Sequence, residues 1–324
     1  MAMLALPAIA QANNGKLHDL KVYKTEQHVD LDGEFPGNYA HVHNYCRPGD
    51  QAIDGMWRID HVDQANPQLD MFGDHRDVEV LRSYSDGHQD GDEAEWHFEL
   101  RNHADGRAQV KLFTVCLDLT TESAGSPPHT HGLFVTPGRT QKVTLPVAGV
   151  HNFTTNGNFA PAANQECPAN HIVVAPGYRV NSGRVRLTRS MPSANGRGWQ
   201  WSFLAQTAPA TIQLSYYCLR LSVNSAGAGP HSHPLHVEYE PAGLPGQNGN
   251  LGAFRSTRQI DCKDHHKGIV GWFSLHNPNH QWFLGMDPRI KSRAFHFWQN
   301  EDQANGFTHG LTCLRYRTGK QVAA

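Results

Sequence analysis

Histidine is the residue type that offers most chemistry in this chain, with 22 of the 324 residues. Three pairs have the spacing His-x-His: His41 with His43, His129 with His131, and His231 with His233. On a β-strand, residues two positions apart point to the same face, so each pair can present two imidazoles to one Zn²⁺ or Cu²⁺ ion. Two ligands do not complete a site, and no third or fourth ligand can be named. The alternative is that these histidines cap or pack the linkers through backbone hydrogen bonds.

Motifs typical of enzymes are missing from the sequence. It contains no Gly-x-Ser-x-Gly elbow, no His-Glu-x-x-His helix, no phosphate loop and no dinucleotide-binding Gly-x-Gly-x-x-Gly. Catalytic residues usually break a repeat in one place, and no such break stands out. We therefore expect a non-catalytic protein without a cofactor. The alternative is a bound metal ion: Zn²⁺ or Cu²⁺ at the histidines, or Ca²⁺ at an acidic loop.

Charged residues are unevenly distributed, although the formal net charge is only −2. Residues 51–100 hold thirteen Asp or Glu against three Arg. Within this acidic stretch, Asp90, Asp92 and Glu93 can bind Ca²⁺ through their carboxylates, although the EF-hand spacing is absent. A solvated loop is the alternative interpretation.

The stretch between Cys167 and Cys218 has the opposite character, with five Arg and no acidic residue. Arg184 and Arg186 lie two positions apart and should share one face of a strand. We expect them to form an assembly surface with Asp90, Asp92 and Glu93 in the acidic module of a neighbouring subunit. An intrachain contact and an unpartnered basic surface are the alternatives. The nearly neutral chain and the lack of a recognised module argue against a nucleic-acid partner.

The six cysteines divide into three pairs, which organise these features along the chain. The pairs are Cys46 with Cys116, 70 residues apart, and Cys167 with Cys218 and Cys262 with Cys313, each 51 apart. Equal spacing indicates an internal repeat and selects this pairing among the many that six cysteines allow. No Cys-x-x-Cys is present, which makes zinc sites at the cysteines the weaker interpretation. Three disulfides imply a protein outside the reducing cytosol.

Alternating apolar residues predict β-strands around the cysteines. One such strand precedes the second cysteine of each pair, as in Ile212-x-Leu214-x-Tyr216. Another lies about fifteen residues upstream and carries Trp199 and Trp201 in the second module. The two Trp share a face, which fits a stacking platform for a sugar and fits core packing better.

The starts of the modules repeat as well. The sequence Pro-His-x-His follows the second cysteine in the first two modules, with its first histidine thirteen residues after that cysteine. The strands that begin the modules then match: His18-Asp-Leu-Lys-Val22, His131-Gly-Leu-Phe-Val135 and His233-Pro-Leu-His-Val237. These matches set the module boundaries.

We therefore predict an all-β protein of three tandem antiparallel β-sandwich or barrel modules, each with one disulfide. The modules are 17–128, which carries an acidic insertion, 129–230 and 231–324. Short His-Pro linkers should fix the angles between modules, so we expect a rigid rod of three beads.

Residues 1–16 precede the first module and are interpreted as an N-terminal arm or the remnant of a leader. Met3–Ala12 is apolar and ends in Ala-x-Ala, but the apolar run is short and no Lys or Arg precedes it. No stretch of 18 apolar residues is present, so we predict no membrane span.

The second module also resembles a known repeat. The segments Cys167–Asn170, Val173–Tyr178 and Ser193–Trp199 resemble Cys-Pro-Ala-type β-sandwich repeats of secreted bacterial proteins. In that repeat, Cys-Pro-Ala opens a Gly-rich module and a second Cys closes it. Here Ala175-Pro176-Gly177 stands in place of the usual Gly triplet. The resemblance implies an extracytoplasmic β module of structural role and supplies no catalytic residues.

These features predict a non-catalytic structural subunit of an extracellular assembly, on a virion or a cell surface. Its partners would be copies of itself or other structural proteins. The retained Met1 and the weak signal favour a phage decoration, collar or tail-associated protein, and a secreted filament or adhesin subunit is the alternative. A different class is a binding module for a surface glycan, or for a metal ion at the four linker histidines: His129, His131, His231 and His233.

Overall fold

The structure is a computed structural model, and its secondary structure is entirely β among the residues it describes. The described residues are 18–33, 38–61, 77–87, 93–103, 106–124, 128–155, 165–226, 232–241, 247–250, 254–299 and 306–316. None of them forms a helix with the length and apolar character needed to cross a membrane. The prediction of an all-β fold is confirmed.

Strands are numbered in chain order and grouped here by predicted module. The first module contains β1 (Val22–Leu31), β2 (Tyr39–Tyr45), β3 (Asp50–His61), β4 (Val78–Ser85), β5 (Glu95–Asn102) and β6 (Ala108–Asp118). The second contains β7 (Thr130–Gly132), β8 (Val135–Pro137), β9 (Gln141–Leu145), β10 (Gly149–Thr154), β11 (His171–Ser182), β12 (Val185–Pro192), β13 (Trp199–Ala205), β14 (Ala210–Arg220) and β15 (Ser222–Ala226). The third contains β16 (Ser232–Glu240), β17 (Gln247–Asn250), β18 (Phe254–Asp261), β19 (Lys267–Leu275), β20 (Gln281–Pro288), β21 (Ser292–Gln299) and β22 (Gly306–Tyr316).

The disulfides pair as the repeat predicts. They join Cys46 to Cys116, Cys167 to Cys218 and Cys262 to Cys313, and no described cysteine is free. In each module, the first cysteine precedes one strand, and the second lies on the last long strand of the module: β6, β14 or β22. The three disulfides indicate an oxidising, extracellular or secretory environment.

The alternating apolar residues form the inner faces of the sheets. In β14 the burial alternates along the strand, and Ile212 and Leu214 are fully buried. Trp199 and Trp201 on β13 are also fully buried. Both tryptophans are therefore core residues, as the core-packing interpretation predicts, and they do not form an exposed platform for a sugar.

The strands form three antiparallel sheets, and each sheet combines strands from two modules. The sheet orders are β1-β6-β3-β20-β21-β18, β2-β5-β4-β11-β14-β8 and β10-β13-β12-β19-β22-β16-β15-β7, with β9 paired to β14 and β17 to β22. The first sheet joins modules one and three, the second joins modules one and two, and the third joins modules two and three. The three modules therefore close into a ring, and the expectation of a linear rod is wrong.

The same kind of strand pairing makes each junction in the ring. In each junction, the first strand after the first cysteine of one module pairs with the second strand after the first cysteine of another module. These pairings are β3 with β20, β11 with β4, and β19 with β12. The repeat in the sequence is thus also a pseudo-threefold repeat in space.

Glycines let the backbones approach at two junctions. Gly285 on β20 has a φ of +125°, and a Cβ there would lie 1.7 Å from the carbonyl oxygen of Trp57 on β3. A Cβ on Gly177 of β11 would lie 2.6 Å from the Cα of Tyr84 on β4. A side chain at either position would force the two modules apart.

Candidate metal centre

The short strand β15 brings together the beginnings of the second and third modules. It pairs with β7 on one side, where Ser225 lies opposite His131, and with β16 on the other, where Val223 lies opposite His233. Because Val223 and Ser225 are two positions apart, the two histidines flank neighbouring positions of the same strand. The register of β15 therefore places His131 and His233 close to each other.

The segment after β6 adds the beginning of the first module. Its backbone is held on one side by a hydrogen bond from the Glu122 amide to the Asp19 carbonyl, 2.9 Å, and on the other by one from the Thr121 amide to the His131 carbonyl, 3.0 Å. His131 also donates its amide to the Thr121 hydroxyl at 3.0 Å. Residues 18–19 and 129–133 thus lie on opposite sides of one segment.

Four histidine rings meet at this place, and we call them the axial histidine cluster: His18, His129, His131 and His233. The ring centroid of His18 lies 4.4 Å from that of His131, 4.6 Å from that of His129 and 6.4 Å from that of His233. The centroid of His131 lies 5.0 Å from that of His129 and 4.9 Å from that of His233. His131 is fully buried and His18 nearly so.

Three members of the cluster occupy the same position of the repeat. His18, His131 and His233 each stand two residues before a buried leucine that begins a module: Leu20, Leu133 and Leu235. Two of these leucines are anchored alike, since the Leu133 amide donates to the Leu119 carbonyl at 2.8 Å and the Leu235 amide to the Leu221 carbonyl at 2.9 Å. Threefold-related residues touch each other only near the threefold axis. The pseudo-threefold arrangement therefore places these histidines at the centre of the ring.

The spacing of the ring nitrogens suits a transition-metal ion. One nitrogen from each of His18, His129 and His131 lies within 4.8 Å of the other two. Zinc–nitrogen bonds of about 2.0–2.1 Å in a tetrahedral site put ligand atoms about 3.3 Å apart. Small rotations of the imidazoles would close that difference. A donor set made only of imidazoles suits Zn²⁺, Cu²⁺ or Ni²⁺, whereas Ca²⁺ prefers oxygen ligands.

The backbone helps to orient one ligand. Nδ1 of His18 lies 3.2 Å from the Glu122 carbonyl oxygen, which can only accept a hydrogen bond. A proton on Nδ1 leaves the lone pair on Nε2, the nitrogen that would then bind a metal. Metal-binding histidines are commonly fixed in this way by a carbonyl or a carboxylate.

The prediction from sequence named part of this cluster. His129, His131 and His233 come together, and His231 lies outside the described residues. His18 was missed as a ligand, although the match between His18-x-Leu, His131-x-Leu and His233-x-Leu was present in the sequence. Residues at matching positions become neighbours only because the three modules close into a ring, and the sequence did not predict that ring.

The other predicted site residues lie elsewhere. Asp90 and Asp92 are outside the described residues, and Glu93 is exposed just before β5. Arg184 pairs within the chain with Glu79, at 2.5 Å, and with Asp77, at 3.6 Å, both on the first module. Arg186 donates to the Pro278 carbonyl and stacks over Trp282 of the third module, 4.3 Å from the ring centroid. The intrachain alternative thus describes both arginines, and an additional contact with a second subunit stays a prediction.

Comparison with known proteins assigns neither a family nor a function to this chain. The sequence matches no protein-family model, and a search of curated proteins finds no significant match.

Proposed function

We propose that this protein is an extracellular, non-catalytic structural protein that binds a transition-metal ion, Zn²⁺ by preference, at the axial histidine cluster. The observation that carries the proposal is the convergence of three repeat-equivalent histidines, His18, His131 and His233, with His129 beside them. Surface histidines scattered at random do not obey the symmetry of the fold.

A structural role for the ion follows from which residues would hold it. His18 belongs to the first module, His129 and His131 to the second, and His233 to the third. An ion bound by His18, His129 and His131, whose nitrogens converge, would join the first two modules. Rotation of His233, whose ring centroid lies 4.9 Å from that of His131, would add the fourth ligand and join the third module at the centre of the ring. Structural zinc sites have four protein ligands, whereas catalytic sites keep one position open. The burial of His131 and His18 also favours a closed site.

The wider setting is an assembly outside the cytosol. The disulfides and the shared sheets support a rigid particle that withstands an oxidising, unchaperoned environment. A phage virion decoration, collar or tail-associated protein is the leading proposal, and a secreted filament or adhesin subunit is the alternative. In either setting, the partners would be copies of this chain or other structural proteins.

Metal loading of the full chain tests the proposal. The protein, stripped with a chelator, should bind Co²⁺ with the intense visible absorption of a tetrahedral nitrogen site, and Zn²⁺ should displace it. His18→Gln combined with His131→Gln should lower that absorption by the contribution of one bound ion. His28→Gln, which changes an exposed histidine on β1, is the matched control and should keep it. A cobalt spectrum that is the same in the double variant and in the parent would refute the assignment.

Zinc should also stabilise the ring. A ligand that binds only the folded state at 100 times its Kd adds about 2.7 kcal/mol to the free energy of unfolding. We expect Zn²⁺ to raise the denaturation midpoint of the parent and of His28→Gln, and to raise that of the double variant by less, because the axial ion is lost. Equal shifts in all three proteins would count against an ion at the axial histidines.

A further inference from the structure

A second group of histidines lies within the first module, on the pair of strands β2 and β5. We call it the β2–β5 histidine cluster: His41, His43 and His97. His41 and His43 are two positions apart on β2 and share a face, and the register places His97 of β5 directly opposite His43. The ring centroid of His43 lies 4.2 Å from that of His97 and 4.7 Å from that of His41.

The ring nitrogens of this cluster converge as closely as those of the axial cluster. One nitrogen from each of the three residues lies within 4.8 Å of the other two. Strand pairing fixes this arrangement, because adjacent strands hold directly opposite side chains about 5 Å apart. The donors are therefore positioned by the sheet itself.

A carboxylate holds two of the rings. Glu95 stands beside His97 on β5, and its Oε2 lies 2.8 Å from Nδ1 of His43. Its Oε1 lies 2.8 Å from Nε2 of His97. Carboxylates that orient imidazoles in this way are a common feature of metal sites, because they fix the ring and increase the basicity of the ligand.

His97 is packed as a fixed ligand would be. The ring of Tyr84 stacks on it with a centroid distance of 4.8 Å and an interplanar angle of 3°. Its side chain is nearly fully buried, and no described residue makes a hydrogen bond to its buried Nδ1. A buried imidazole nitrogen without a partner is costly, and a bound cation would supply one.

Exposure distinguishes this cluster from the axial one. His41 is exposed and His43 is half-buried, on the side of β2 that faces away from the core. An ion held there by three imidazoles would reach solvent on the His41 side. It would keep a coordination position for water or an added ligand, as three-ligand zinc sites do.

We propose that His41, His43 and His97 form a second transition-metal site, oriented by Glu95 and open to an exogenous ligand. The ion is of the Zn²⁺ or Cu²⁺ class, which imidazole donors favour. This inference goes beyond the proposed function, because its residues and its test are independent of the axial cluster.

Counting bound ions tests the second site by itself. In equilibrium dialysis with Zn²⁺, His41→Gln combined with His43→Gln should bind one ion fewer than the parent. Both side chains are at least partly exposed, so we expect the variant to fold, and circular dichroism with intact disulfides checks this. His28→Gln combined with His151→Gln removes one exposed and one half-buried histidine outside both clusters and should bind as many ions as the parent. Unchanged stoichiometry in the His41/His43 variant would overturn the proposal.

The failure of either metal site can be told from the failure of the other. The variant with His18→Gln and His131→Gln should keep the β2–β5 site, and all four substitutions together should remove both ions. In the axial variant loaded with Co²⁺, azide should shift the visible spectrum, because it can enter the open position. If the axial variant binds no ion, or if azide leaves its cobalt spectrum unchanged, the open second site is wrong whatever the axial cluster does.

Discussion

The junction between the first and third modules contains a buried pair of charges, whereas the ion pairs of Arg184 at the junction between the first and second are partly exposed. At the first, Asp54 on β3 and Arg293 on β21 are both buried, with Oδ2 and Nη2 3.7 Å apart. The Gly271 amide also donates to Asp54 at 2.9 Å. At the second, Arg184 keeps about a third of its side-chain surface exposed while it contacts Glu79.

The buried pair breaks the repeat at one position. Trp96 and Trp199 lie opposite the last residues of β4 and β12, and Arg293 lies opposite the last residue of β20. The two tryptophans donate to equivalent serine hydroxyls, those of Ser83 and Ser190, at 3.0 and 2.9 Å. In the third module the tryptophan is replaced by Arg293, and the serine position is occupied by a methionine.

The difference indicates what each junction contributes. A buried charge is tolerated only with its partner, so Arg293 fits beside the first module, which supplies Asp54, and not in the other two places. We infer that this pair defines the order of the modules in the ring. An exposed ion pair adds little free energy and carries little such specificity.

Arg293→Met should have the largest effect on stability, because it leaves Asp54 buried without its partner. Removing one member of a buried ion pair typically costs about 3–5 kcal/mol. Guanidinium unfolding with the disulfides intact measures the loss. Arg184→Met at the exposed junction is the matched control and should cost less than about 1 kcal/mol. Equal losses at the two junctions would remove the contrast between them.

The double variant Asp54→Asn with Arg293→Met sharpens the same point. Replacement of both charges relieves the unpaired carboxylate, so the double variant should be more stable than Arg293→Met alone. A double-mutant cycle with Asp54→Asn gives the coupling between the two side chains. A coupling near zero would show that the pair is not a unit.

Asp54 should also make the stability depend on pH. Burial raises the pKa of Asp54 to about 7, although the guanidinium of Arg293 and the Gly271 amide act to lower it. In the unfolded chain its pKa is about 3.9. Between these values the folded protein keeps a proton that the unfolded chain has lost. The contribution of Asp54 to stability is therefore greatest below about pH 4 and is lost as the pH rises through about 7.

The size of this effect is on the order of 2 kcal/mol between pH 5 and pH 8. Asp54→Asn should remove that part of the slope, while groups common to both proteins contribute equally. Urea unfolding of the parent and the variant at the two pH values provides the comparison. The same pH slope in both proteins would mean that Asp54 is ionised throughout this range.

Local patterns in the sequence predicted the units of the fold but not their association. Alternation around Trp199 and Ile212 predicted strands, and equal cysteine spacing predicted the disulfides, because both depend on residues within one module. The pairing of β3 with β20 depends on two strand edges more than 200 residues apart, between Arg58 and Gly285. No local pattern specifies which edges meet.

The prediction of the candidate sites from sequence was incomplete for the same reason, because these sites depend on contacts between distant strands. His18 and His131 match in sequence, but only ring closure makes them neighbours. His97 has no partner at His-x-His spacing, and its place opposite His43 depends on the register of β5 with β2. Arg293 was overlooked because Phe295 and Phe297 gave the third module enough alternation to be aligned without it.

The smallest expected effect concerns the exposed junction. Arg184→Ala should lower the free energy of unfolding by about 0.5–1 kcal/mol, because its pairs with Glu79 and Asp77 lie partly in solvent. The loss should shrink at 1 M salt, where the Debye length is about 3 Å. Arg186→Ala is the control, since stacking on Trp282 is less sensitive to salt. A loss at Arg184 that is independent of salt would contradict the ion-pair interpretation.

Substitutions at Arg184 and Arg186 also test whether these arginines bind a second subunit. Charge reversal of Arg184 and Arg186 to Glu should weaken self-association at low salt if the acidic first module of a neighbouring copy provides their partner. Arg184→Ala, which removes one charge without repulsion, should weaken it less. Sedimentation across a salt series, with folding checked by circular dichroism, separates this from loss of the intrachain junction. If the double Glu variant stays folded and associates like the parent, the two arginines act only within the ring, where Glu79 and Pro278 already accept their hydrogen bonds.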